Sequence, residues 1–158
     1  MKQKEFDKFY RRNIDRIYRY VFFRIGQNHE IAEDLVSEIF LKALNKFDDY
    51  DEKKSKSAWI YTIAHNHLVN YYRDKKVEID FDDLIMDSRL HGNDGRGEVF
   101  LEIEGILAKL SKEDRRLVTM KYLEGYKYSE MAEILGRQAN ALKVATHRSL
   151  KTIKDGLR

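Results

Sequence analysis

The chain has 158 residues, of which 42% are hydrophobic, 12% aromatic and 36% charged, with neither cysteine nor proline. This length holds one ordinary domain or two small ones, with enough apolar material for a core. The lack of cysteine excludes disulfides, cysteine-based zinc sites and thiol catalysis. Residues 1–13 are charged and carry no apolar run, so neither a signal peptide nor an anchor is expected there. No later stretch is apolar enough to span a bilayer, so the expected location is cytoplasmic, with no membrane insertion.

The net charge is only +3, but it is unevenly spread. From Arg137 to the end, six basic residues stand against Asp155 alone. Between Lys76 and Gly97, six acidic residues face three basic ones. A basic end and an acidic middle point to different roles for the two segments.

Apolar residues recur at helical spacing nearly throughout. A first helix carries Phe6, Phe9, Tyr10, Ile14, Ile17 and Val21 and ends at Gly26. Asn28 caps a second, with Ile31, Leu35, Phe40, Leu44 and Phe47. Ser55 or Ser57 opens a third, from Ala58 to about Arg73, with Ile60, Ala64, Leu68 and Tyr71 on its core face. The pattern then breaks. Residues 77–85 alternate apolar with acidic and read as extended or loosely helical. His91 to Gly97 holds three glycines and no apolar residue, the composition of a flexible linker. Periodicity resumes at Val99, Ile103, Ile106, Leu107 and Leu110. Ser111 with Asp114 resembles a capping box, opening a helix through Leu117, Val118 and Leu123 that Gly125 stops. The expected fold is all-α: three helices over residues 1–75, an acidic flexible linker over 76–97, then four shorter helices over 98–158.

The stretch from Tyr128 to Gly136 has the form of the first half of a helix-turn-helix. Ser129 is placed to cap, Ala132 is small where two helices cross, and Gly136 sits at the turn. Leu142 and Ala145 then fall where the second helix packs on the first. Gln138, Asn140, Lys143, Val144 and His147 face outward, and such a helix enters the major groove N-terminus first. Gln and Asn pair with adenine and Lys with guanine. Arg137, Arg148 and Lys151 complete the set, the latter two placed for phosphates.

On the third helix, Thr62, His65, Asn66, Asn70 and Arg73 cluster opposite the core face, beside the basic loop of Lys53, Lys54 and Lys56. Amides, cations and nearby aromatics together suit unstacked single-stranded bases. For Trp59 and Tyr71 a core role is the plainer reading.

The stretch from Ala32 to Ala43 (AEDLVSEIFLKA) and that from Ala58 to Leu68 (AWIYTIAHNHL) resemble the two core stretches of extracytoplasmic-function (ECF) sigma factors, in the sigma-70 family. The helix-turn-helix, acidic linker and length agree with the same family. The resemblance implies a region 2-like three-helix domain over residues 1–75 that binds core RNA polymerase, melts the promoter and recognises the minus-ten element. Asp34, Ser37, Glu38 and Leu41 would dock on the clamp coiled coil of the largest subunit. Lys53, Lys54, Lys56, Thr62, His65, Asn66, Asn70 and Arg73 would take the melted strand. It implies a region 4-like domain over 98–158 that meets the polymerase flap and reads the minus-thirty-five element. An anti-sigma factor is a further implied partner. Three positions depart from the family pattern: Ser37 stands for the usual Gln, His65 for the common Arg before Asn66, and Arg137-Gln138-Ala139-Asn140 replaces a Ser/Thr-rich helix start.

No cofactor, metal or catalytic residue is expected. None of the five histidines pairs at i,i+4, and no glycine-rich loop leads into Lys-Ser or Lys-Thr. The alternatives are a stand-alone helix-turn-helix regulator, which would bind duplex DNA by itself as a dimer, and an all-helical scaffold with incidental basicity.

Overall fold

The computed structural model describes residues 2–26, 28–50, 52–53, 55–76 and 105–156. These residues are helical and hold no strand. In the N-terminal half, α1 spans Lys2–Arg24, α2 His29–Lys46 and α3 Lys56–Asp74. In the C-terminal half, a helical turn at 105–108 precedes α4 (Lys112–Val118), α5 (Tyr128–Leu135) and α6 (Ala139–Gly156). The expected acidic linker, together with Val99 and Ile103, lies outside the described residues.

Local chemistry sets the helix ends. The Asn28 side chain accepts from Ile31 N–H at 3.1 Å, and Ser55 rather than Ser57 caps α3, accepting from Ala58 N–H at 3.2 Å. Gly26, at φ +77, ends α1 as expected. Ser111 accepts from Asp114 N–H at 3.1 Å, the forward half of the expected box. Past Val118 the helix does not stop. It widens into a π-helical turn, Thr119–Leu123, before Gly125 turns the chain at φ +78. Ser129 is not a cap: α5 begins at Tyr128, and Glu130 reaches back to accept from Lys127 N–H at 3.0 Å. With 18 residues, α6 is as long as α2 and not a short helix.

Phe9 is a pillar of the N-terminal core. Its ring meets Phe6, Phe40, Phe47 and Trp59 at centroid distances of 5.4–6.2 Å, contacts that add to simple area burial. On α3, Ile60, Ala64 and Leu68 are buried as expected. At its end Tyr72, not Tyr71, is the buried ring, because its O–H donates to the Arg24 carbonyl. Tyr71 stays half-buried under the Lys75 ammonium, 4.5 Å from the ring centroid.

The same core continues into the C-terminal half through Leu117, Met120, Tyr126, Met131 and Leu142. A smaller cluster of Leu107, Leu110 and Val118 takes in Phe23 of α1. The two halves therefore pack on each other.

Candidate nucleic-acid interface

Gly136, in the left-handed conformation at φ +66, reverses the chain between α5 and α6, and Arg137 N–H closes the turn onto the Ala132 carbonyl at 3.2 Å. Leu142 is fully buried behind it. Thr146 and Ser149 are also buried, and each satisfies its hydroxyl on the carbonyl four residues back, at 2.7 and 3.0 Å. With those positions inward, Asn140, Lys143, Val144, His147, Arg148 and Lys151 stand exposed on α6, and Arg137 and Gln138 are exposed just before it. Arg137 pairs with Glu113 of α4 across the surface. This is a presented basic and amide face with 51% of Val144 open to solvent at its middle.

On α3, Thr62, Asn66 and Arg73 are exposed, while His65 and Asn70 are half-buried. His65 stacks on Tyr61 at 16° and meets the Tyr20 hydroxyl at 3.3 Å, so its ring is held by α1. Thr62 donates to the Ala58 carbonyl at 3.0 Å and keeps its acceptor lone pairs outward. Lys53 and Lys56 are exposed beside this face; Lys54 lies outside the described residues. Lys53, Thr62 and His65 line a cleft of about 690 Å³ whose far wall is Arg116 of α4 and Glu133 and Ile134 of α5.

On α2, Asp34, Ser37, Glu38 and Leu41 form one exposed row, with Leu41 59% open. The like charges of Asp34 and Glu38, four residues apart, oppose an isolated helix. His67 of α3 relieves this from the side. Lys42 Nζ donates to His67 Nδ1 at 2.8 Å, which leaves Nε2 to donate to the Glu38 carboxylate at 2.7 Å. The chain thus couples the α2 row to α3, while His65 turns to Tyr20 of α1.

Arg16, Arg24, Ser57, Glu124, Tyr126 and Glu130 join the halves, and the sequence singled out only Ser57 among them, as a candidate cap. Arg24 Nη1 donates to Glu124 Oε1 at 2.5 Å, with 7% of one side chain and none of the other exposed. Burial acts to lower the Arg24 pKa, but Glu124 and the adjacent tyrosines more than offset it, and the net direction is upward. The guanidinium also lies over the Tyr20 ring at 4.0 Å. Arg16 pairs with Glu130, which accepts from Ser57 Oγ at 2.5 Å as well. Tyr126 packs edge-on against Tyr61 at 6.0 Å, and burial pushes the hydroxyls of Tyr126 and Tyr20 well above their ordinary pKa. The hydrogen-bonded pairs among these residues, Ser57 with Glu130, Arg24 with Glu124 and Arg16 with Glu130, lie 73, 100 and 114 residues apart in the chain, a separation that no local pattern bridges.

Two family models match this chain: Sigma-70 region 2 over residues 9–78 and Sigma-70, region 4 over residues 100–153. The ECF RNA polymerase sigma factor SigF of Caulobacter vibrioides is 30% identical, the match covering 90% of this chain and 80% of SigF. The ECF RNA polymerase sigma factor BldN of Streptomyces coelicolor is 24% identical over 94% of this chain, which spans only 58% of BldN's length. In fold, the chain is similar to the sigma factor RpoE from Bartonella quintana, solved in complex with the anti-sigma factor NepR, with a TM-score of 0.60 at 21% identity, covering 98% of this chain and 97% of that one. Two presented faces, matched in order by regions 2 and 4 and by a close-length relative, place the chain in one family: it belongs to the ECF RNA polymerase sigma factors of the sigma-70 family.

Proposed function

We propose that this sigma factor works as a non-catalytic specificity subunit that brings core RNA polymerase to its promoters from the cytoplasmic side, with a division of labour along the chain. Residues 1–75 bind the polymerase clamp and open the DNA, residues 76–97 connect, and residues 98–158 meet the flap and read the minus-thirty-five element. The observation that carries this reading is the exposed row Asn140, Lys143, Val144, His147, Arg148 and Lys151 on a helix locked behind a left-handed Gly136 turn, the geometry of a major-groove reader. The exposed α2 row of Asp34, Ser37, Glu38 and Leu41 supports polymerase docking: an acidic patch around a bare leucine fits a basic surface with an apolar hole. The exposed α3 face, with Thr62, Asn66 and Arg73 flanked by lysines, supports capture of the melted minus-ten strand, aided by His65 and Asn70. An anti-sigma factor, as seen with the RpoE relative, is a further partner.

Asn66 tests the assignment most cleanly, since an exposed amide on a helix exterior contributes little to folding. Asn66→Ala is expected to abolish promoter opening, read by permanganate reactivity of the minus-ten thymines, while core-polymerase binding stays unchanged. Normal opening by the variant removes Asn66 from the base-reading set.

A further inference from the structure

We propose that His67 of α3 is a positioning residue for polymerase docking: its imidazole holds the Glu38 carboxylate in the exposed row of α2 and keeps the Lys42 ammonium off that carboxylate. This role rests on the docking function proposed for the α2 row.

Glu38 and Lys42 stand four residues apart on α2, Glu first, the order and spacing of a helical ion pair. A direct pair would neutralise the row at its centre, and a basic partner would meet less negative charge there. The imidazole stands between them instead. Lys42 Nζ donates to His67 Nδ1 at 2.8 Å, and His67 Nε2 donates to Glu38 Oε2 at 2.7 Å. Two hydrogen bonds and a ring then separate ammonium from carboxylate, and their attraction falls with distance. The ammonium also decides which ring nitrogen carries the hydrogen. Nδ1 has to accept, so the hydrogen sits on Nε2 and faces the carboxylate.

The holder and the held group differ in freedom. The His67 side chain is only 12% exposed and both its nitrogens are engaged, whereas Glu38 is 57% exposed. A solvated glutamate samples many rotamers. Holding it in place before the partner arrives removes an ordering cost that the interface would otherwise carry. Only Oε2 is taken, which leaves the lone pairs of Oε1 for a cation of the polymerase. Asp34, the other carboxylate of the row, has no hydrogen bond or ion pair among the described residues. The hold is therefore particular to Glu38, although both carboxylates lie on the same exposed face.

The test measures the affinity of the full chain for immobilised core RNA polymerase by biolayer interferometry. His67→Ala is expected to weaken binding about fivefold, the effect of ordering one long side chain at an interface. His67→Gln should restore most of that affinity, because its amide both donates and accepts. Added to Glu38→Ala, His67→Ala should bring no further loss; added to Asp34→Ala, it should bring its full fivefold. The thermal midpoint of His67→Ala, followed by circular dichroism, is expected to move little, since the pair it removes is open to solvent on the Glu38 side. Unchanged affinity in His67→Ala, or a loss that adds in full to that of Glu38→Ala, overturns the positioning role. A loss that vanishes equally in the Asp34→Ala background marks a displacement of the whole of α2 and overturns it as well. Glu38→Ala that binds like the parent sends the fault to the docking function of the row, and the role of His67 falls with it.

Discussion

Arg24 and Glu124 carry more electrostatic weight than any surface pair among the described residues. Exposed pairs such as Lys2 with Asp48, 77% and 63% open, contribute little beyond geometry. A buried charge that loses its partner costs about 3–5 kcal/mol. Glu124→Ala is therefore expected to lower the thermal midpoint by many degrees, followed by circular dichroism. Arg24→Met with Glu124→Leu, which removes both charges, should recover most of the loss. A double variant as unstable as the single one would mean that the pair is essential in itself rather than replaceable. Glu130 adds a pH dependence with a definite sign. Burial acts to raise its pKa, but the hydrogen bonds from Ser57 and Lys127 N–H and the charge of Arg16 outweigh it, and the carboxyl sits below its ordinary 4.5. The packed form then binds fewer protons than the unpacked one between those two values. Its contribution is complete above the ordinary value and is lost as pH falls through the lowered one. An acid titration of chain stability should show this loss in the parent and a flattened one in Glu130→Gln.

At the scale of elements, the C-terminal reader divides into a locked frame and a free face. Gly136 belongs to the frame. A Cβ there would meet no atom within 4 Å, yet the backbone stands at φ +66. Gly136→Ala should thus cost about 1–2 kcal/mol through backbone conformation alone, a loss visible in denaturant unfolding. Arg148 and Lys151 belong to the free face. Replacing both with Ala should weaken duplex binding evenly across sequences and lower the salt slope by about 2, roughly one for each lost phosphate contact. An unchanged slope would take them out of the phosphate set. The elements themselves were largely readable in advance. Asn28 announced its helix and the choice of Ser55 or Ser57 announced the next, because capping is local chemistry, and Ile60, Ala64 and Leu68 announced a buried stripe because helical period is local geometry. Ser129 misled, because its neighbour Glu130 reached the same N-terminus from inside the helix. Tyr71 packs against the core as expected, but a hydrogen bond to the end of α1, remote in sequence, draws Tyr72 in more deeply, and that the pattern did not show. The π-helical turn after Val118 left no mark in the hydrophobic pattern, since Thr119 to Leu123 read equally well as ordinary helix.

For the whole molecule, two helical units in one chain were legible from the break in periodicity and the reversal of charge. Their packing on each other was not. It depends on Arg16, Arg24, Ser57, Glu124, Tyr126 and Glu130, whose types are common on helix surfaces and whose partners lie far away in the chain. The exposed faces were legible as residue types and spacings, while the holding of His65 by Tyr20 and of Glu38 by His67 needed three dimensions. Both faces serve one claim, that this sigma factor confers promoter recognition on a polymerase that lacks it. Run-off transcription from genomic DNA fragments, with purified core RNA polymerase in the presence and absence of the chain, measures that directly. Discrete new transcripts are expected that require the chain and start downstream of a shared pair of promoter elements. Tight dimeric binding to duplex DNA with no binding to core polymerase, and no new transcript, would contradict it.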